Sequence, residues 1–313
     1  MKRVLLALCV LGGVAAADPK PAKPPINGGT VEVAPAGHPI THVAIDNPLG
    51  DVHVIGYDGK TLKIEPRKQA PDEEAMDRLR VSLVANPDGT VRITTAVDRD
   101  RESKPLARSA VRIDLVIHAP RNAKIDASVS AGKLVLENMD AGGELDTASG
   151  PISVHNVSGE VWTHSLSGST QLVQVFGSVD VQSMSADVDL DTINGEHLVA
   201  SAGKGKISGR RVHARDVELT TTDGRIVLEA EAALRGHLVV SSLHGDVDVR
   251  LHRHGAVVVK ARGNRVELGT ATTRTSKADG WVTAQVGQTD QREVAASVEL
   301  RSRYGNVQFS IIE

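Results

Sequence analysis

From about residue 121 onward the chain alternates apolar and polar residues in short runs, and the runs themselves repeat. A turn, a glycine, one polar residue and then alternating Val, Ile or Leu recur at S-A-G-K-L-V-L around Gly132, A-S-G-P-I-S-V around Gly150 and L-S-G-S-T-Q-L around Gly168. The unit continues at Ala186, Gly205, Gly224, Gly245 and Gly263, in steps of 18, 18, 18, 19, 19, 21 and 18 residues. Strict alternation over such short stretches marks half-buried strands, and no helical period of 3.6 competes with it.

Aligned on the glycine, the repeats fall into columns. Seven and five residues before it stand Ile125 and Ala127, Val161 and Thr163, Val179 and Val181, and so on to Ala256 and Val258. Two and four residues after it stand Leu134 and Leu136, Ile152 and Val154, Val188 and Leu190, down to Val247 and Val249. A fifth apolar column, seven after the glycine, runs from Met139 to Val212 and fails at Glu231 and His252. Because side chains alternate across a strand, each repeat reads as two short strands joined at a glycine corner, both with the same face inward. That is one coil of an all-β solenoid with coils of about 18 residues, and one coil buries too little to stand without neighbours. Small and hydroxyl residues three before the glycine, such as Thr147, Ser165, Ser183 and Ser242, predict a tight corner whose hydroxyls bond to one another or to the backbone.

The stretch from Val31 to Pro120 is less periodic but still β, with strands expected at Val43–Ile45, Val52–Ile55, Leu62–Glu65, Leu79–Ala85, Val91–Val97 and Val111–Ile117. Asp98 to Ser109 reads as a charged, solvated insertion, Gly269 to Arg292 interrupts the array, and Ser297 to Ile312 resumes it. Irregular β segments at both ends are the expected caps for the exposed strand edges of a solenoid. The organisation expected is a signal at 1–17, a Pro-rich tether at 18–30, an N-terminal β region at 31–120, and a solenoid at 121–313 with an insertion at 269–292 and a C-terminal cap.

Composition narrows the function. Lys2-Arg3, an apolar run from Val4 to Val14 and Ala15-Ala16-Ala17 form an export signal, so the chain is expected in the periplasm or at the cell surface, with no transmembrane segment once the signal is removed. The only cysteine, Cys9, lies within that signal, which leaves no thiol, disulfide or thiolate metal site. Net charge is -3, more negative once Lys2 and Arg3 are removed, so no nucleic-acid partner is expected. With only 2 Trp, 2 Tyr and 2 Phe, the chain also lacks rings for a stacking groove.

The opening I-D-N-P-L-G-D-V-H-V-I-G-Y-D (Ile45 to Asp58), the tandem S-G-x-I/V-x-V units and the closing R-S-R-Y-G-N-V-Q-F (Arg301 to Phe309) resemble the exported DUF4097 proteins, also called "putative adhesins", relatives of the DUF2807 head domain. The resemblance spans about Val31 to Glu313. It implies a right-handed β-helix-like fold at the bacterial envelope. Its motifs are set by the corner and the core, so it brings no catalytic residues with it.

Three groups of residues can bear chemistry. Asp187 and Asp189, with Asp191 beyond them, share one strand face, and Asp246 and Asp248 repeat the pattern three coils later; paired acids cleave polysaccharides on some β-helix enzymes, yet these two groups stand ~14 Å apart at ~4.8 Å per coil. His197, Asp216 and His237 occupy one column on successive coils, and His252 and His254 share a face; either set offers weak metal-ligand chemistry, and no cofactor is expected. Trp162, between inward Val161 and Thr163, is expected to point outward beside Glu144 and Asp180 as a contact for an envelope protein or glycan. The reading is therefore a non-enzymatic binding, adhesin-like or scaffold module. A polysaccharide-active β-helix enzyme and a structural protein that self-associates through its solenoid ends are the alternatives.

Overall fold

The computed structural model describes residues 26–27, 29–34, 38–98, 110–233, 235–253, 255–269, 272–287 and 295–312. The expected signal, most of the tether, nearly all of the charged insertion and His254 lie outside the described residues.

The predicted columns become two parallel ladders. In the first, Gly143–Thr147, Val161–Ser165 and Val179–Ser183 pair in register, Gly143 with Val161 and Val161 with Val179. In the second, Leu134–Glu137, Ile152–Ser158 and Thr170–Phe176 pair Leu134 with Ile152 and Ile152 with Thr170. The long strands Val188–Lys204 and Ile207–Asp223 run through both ladders. One repeat length per ladder step is what defines a β-solenoid, and the all-β solenoid expected from the sequence is the fold observed.

The glycine corner is demanded by stacking distance. A Cβ on Gly150 would lie 1.7 Å from the carbonyl oxygen of Gly132, and one on Gly245 would lie 1.7 Å from that of Gly224. Beneath it the hydroxyl column is buried and bonded to backbone: the Gly168 N–H donates to Ser165 Oγ at 2.8 Å, and Ser165 Oγ donates to the Gly168 carbonyl at 2.6 Å. Thr147, Ser242 and Ser302 accept the N–H of Gly150, Gly245 and Gly305 in the same way.

A second corner was not foreseen. Asn138, Asn156, Gln174, Thr192 and Arg211, each six residues past the first corner, adopt φ between 51 and 59°. This left-handed residue turns the chain out of the second ladder. The next two coils lack it, and there Ala230 and Leu251, not Glu231 and His252, point into the core. The fifth apolar column therefore does not fail; it moves by one residue where the kink is lost. A similar slip corrects the expected inward position of Val258. Val257, Val259 and Ala261 are the buried set, because Asn264 rather than Gly263 takes the corner, its N–H donating to the Gly305 carbonyl at 2.9 Å.

The stack is not in sequence order at its ends. His42–Asn47 and Val52–Tyr57, the first coil in sequence, lie between the coil at Lys124–Val129 and Leu134–Glu137 and a later one at Thr90–Val97 and Arg112–Pro120. Likewise Ala296–Ser302 and Val307–Ile312, the last coil, lie between His237–Ser242 with Val247–Arg253 and the earlier coil at Val257–Arg262 and Val266–Leu268. Buried Asn47 stitches the first junction: its Nδ2 donates to the Ile113 carbonyl and its Oδ1 accepts from Thr95 Oγ1 at 2.5 Å. Antiparallel strands then cover the ends, Leu62–Gln69 and Leu79–Ala85 at one, Thr272–Ala278 and Trp281–Val286 at the other. A five-residue helix, Glu73–Asp77, has its N-terminus capped by Asp72 Oδ1, which accepts from the Ala75 N–H.

Candidate functional site

Each ladder presents an outward face, and the two differ in how their charges are used. On the second ladder and its corners the acids are held by cations or by backbone. Arg225 reaches Asp248 at 3.2 Å, and Asp191 pairs with Arg210 and Arg211. Arg112 bridges Asp51 and Asp114, whose carboxylates hold its proton more firmly than usual. Arg121 donates twice to Asp140, and that hydrogen bonding lowers the Asp140 pKa and raises that of Arg121.

The aspartates singled out from the sequence fall on this side and mostly have structural partners. Asp187 Oδ1 accepts the Lys206 N–H at 2.7 Å, and Asp246 Oδ1 accepts the Asn306 N–H at 2.8 Å, each one coil further on. Asp51 does the same for Lys133, so an acid just past the corner serves as a backbone cap for the next coil. Asp248 is only 8% exposed and faces Arg225, a correction to its expected place on a solvated face. Asp189 is exposed. Three ladder steps separate the two groups, as the repeat count implied.

The histidine column exists in register, Asp216 pairing with His197 on one side and His237 on the other, with His197 Nδ1 3.4 Å from Asp216 Oδ2. His252 Nε2 lies 3.8 Å from Glu229 Oε1, and its expected partner His254 is outside the described residues. Among the described residues no group of three or more His, Cys, Asp or Glu is placed to hold a metal ion.

Trp162 stands on the outward face of the first ladder, 47% exposed, with Glu144 and Asp180 as its in-register neighbours. Its indole Nε1–H donates to Glu160 Oε1 at 3.0 Å, which fixes the ring against the sheet. His164, two residues on, sits 3.1 Å from Asp146 of the preceding coil. The same two coils also expose Leu166 and Met184, at the corner that ends the first-ladder strand, and Phe176, at the end of the second-ladder strand Thr170–Phe176; the sequence alone did not single them out. Their signal was available: each is a large apolar residue at a corner position that other coils fill with small or polar ones, Ala148, Ser158 and Gly203 among them. Toward the N-terminal end the face hollows into an open groove of about 270 Å³ between Asp46, Arg92, Asp126 and Asp146.

A parallel two-ladder solenoid bearing an exposed, ring-centred face is a repeat scaffold. The family model Toastrack DUF4097 matches residues 78–310, and the chain belongs to that family. Among solved structures, it is similar over 92% of its length to the whole of a "putative cell adhesion protein" from Clostridium sporogenes, at 11% identity and a TM-score of 0.29. A "putative adhesin" from Bacteroides fragilis is 12% identical over 91% of this chain and 98% of that one, with a TM-score of 0.34. A "putative lipid binding protein" from Parabacteroides distasonis is 10% identical over 91% and 96%, with a TM-score of 0.40. No curated protein matches the chain. Among the described residues no helix is long and apolar enough to cross a membrane.

Proposed function

We propose that this chain is an exported, non-enzymatic binding module of the cell envelope, adhesin-like or scaffolding, and that it engages its partner through the outward face of the first ladder. The observation behind this reading is Trp162, a large ring left half in solvent with its N–H already satisfied by Glu160. Exposed tryptophans on a rigid surface are where interface energy concentrates, and a ring already held in place loses little entropy on binding. The names given to the structural relatives agree with a binding role. Acids that cap neighbouring coils, as Asp187 and Asp246 do, are poor general acids or bases, because their oxygens are committed to backbone N–H groups.

The test is capture from an envelope extract by the immobilised chain and by Trp162→Ala. The variant is expected to lose the captured partner while circular dichroism and melting stay as in the parent. Equal capture by both proteins, or hydrolysis of an envelope polysaccharide that stops with Asp189→Asn, would overturn the proposal.

A further inference from the structure

We infer that the occupant of the Trp162 face is an extended basic polypeptide segment whose lysines or arginines are separated by apolar residues. This deepens the binding-module reading and rests on it.

Charge is the first argument. The whole chain is close to balance, with 36 Lys and Arg against 39 Asp and Glu. The first ladder is not. From Gly143–Thr147 through to His237–Ser242 its outward positions hold no lysine or arginine, whereas Glu144, Asp146, Asp180 and Glu218 all point out. In the three strands that carry Glu144, Trp162 and Asp180 the cationisable residue is His164, beside Asp146. Large single-sign fields attract oppositely charged partners and discriminate against like-charged ones.

That argument excludes a second copy as the better occupant. Laying this face on itself about a two-fold axis through Trp162 sets acid against acid over its middle coils, since its basic residues lie beyond them, Arg92 and Lys124 toward one end and Lys260, Arg262 and Arg301 toward the other. Like charges placed opposite each other in an interface cost several kcal/mol.

The apolar residues select a polypeptide over a glycan. Trp162 at 47%, Leu166 at 43% and Met184 at 62% exposure lie on, or directly after, first-ladder strands of two consecutive coils, with Leu166 and Met184 at the same corner. Sugars stack on rings; leucine and methionine at the Met184 corner instead suit apolar side chains, methionine being the adaptable surface residue of peptide grooves. Spacing adds a third constraint. Glu144 and Asp180 flank Trp162 one coil to either side, so they stand ~9.6 Å apart at ~4.8 Å per coil, about three residues of a chain in the extended polyproline II form at ~3.1 Å each, whose period of three returns residue i+3 to the face of residue i. A segment with basic residues at i and i+3 and apolar residues between them meets both acids and the ring together.

The probe is a fluorescein-labelled peptide of three Lys-Leu-Val repeats, titrated into the full-length chain by anisotropy. It is expected to bind, to weaken about tenfold with Trp162→Ala, to be lost with the double change Glu144→Lys and Asp180→Lys, and to be unaffected by Asp189→Lys on the other ladder. Three results would overturn the inference: nonalysine binding as tightly and without regard to Trp162, a chitosan hexamer binding more tightly than the peptide, or a concentration-dependent doubling of mass that Trp162→Ala abolishes. If the peptide ignores Trp162 while envelope capture still depends on it, this inference falls and the binding module stands. Loss of the Trp162 dependence in both assays removes both.

Discussion

The two outward faces of the solenoid are built from the same repeat yet spend their charges differently. On the second ladder acids meet arginines across coils, Asp248 with Arg225 and Asp191 with Arg210 and Arg211, and acids at the corners cap backbone N–H groups of the next coil. On the first ladder Glu144 and Asp180 face solvent beside an exposed ring, and the ion pairs between its parallel strands among the described residues, His42 with Asp126, His164 with Asp146 and His197 with Asp216, involve histidine. A coil needs its cross-coil rungs on one side only to keep register. The other side is then free to carry a surface whose charge is not neutralised, which is the condition for recognising a partner of opposite sign.

The largest expected effect lies beneath the first face. Val181 is fully buried one strand position from Asp180 on the surface column. Val181→Asp places an unpaired carboxylate in the core, where desolvation costs several kcal/mol, and should leave the chain insoluble or unfolded by circular dichroism. A soluble variant with the parent's thermal midpoint would show that the inward and outward columns are misassigned. Next comes the second ladder. Asp248→Ala removes a carboxylate whose side chain is 11% exposed together with its pairing to Arg225, a guanidinium 55% exposed that stays in water, and a loss of about 1 kcal/mol in urea unfolding is expected. An unchanged midpoint would mean that the rungs of this face are ornamental and the contrast between the faces is one of composition alone.

The columns that support these predictions were legible because they repeat: a corner residue, glycine in all but one of the repeats, every 18 to 21 residues and alternation on either side of it identify inward and outward positions without any structure. The outward setting of Trp162 followed from Val161 and Thr163 in the same way. What escaped were features that repeat in conformation but not in residue type. Asn138, Asn156, Gln174, Thr192 and Arg211 share a left-handed backbone and little chemistry, so only the two asparagines resemble the usual occupants of that region. The order of the terminal coils escaped for a different reason. Coils of equal width and similar core are interchangeable in a stack, and only pairing partners such as Asn47 with Thr95 show that the first coil in sequence is not the outermost. The corner falls on Asn264 and not on Gly263, a displacement of one position along the strand, and that alone reverses which valines are buried.

A smaller effect is expected on the first face itself. Glu144→Gln and Asp180→Asn remove charge from outward positions that hold no ion-pair partner among lysines and arginines on neighbouring coils, and each should move stability by no more than about 0.5 kcal/mol. Destabilisation beyond 1 kcal/mol, roughly the scale of a rung, measured by the same urea titration, would make these acids structural and erase the distinction between the faces.

The smallest effect is a pH dependence that belongs to the corner leading out of the second ladder. Arg121 donates to both oxygens of Asp140 at 3.0 Å and holds that carboxyl below its ordinary value of 3.8. A depressed carboxyl contributes stability that is fully present above the ordinary value and is lost as pH falls through the lowered one. The pair is solvent-exposed, so the contribution is small and screened by salt. Melting curves of the parent and Arg121→Ala should therefore differ slightly at pH 6 in low salt and converge as the pH falls through the lowered value, where Asp140 becomes protonated in both folded and unfolded chains. A gap that persists at the acid end would assign the effect to packing of the Arg121 stem instead of to its charge, and the corner would then hold by contact and not by an ion pair.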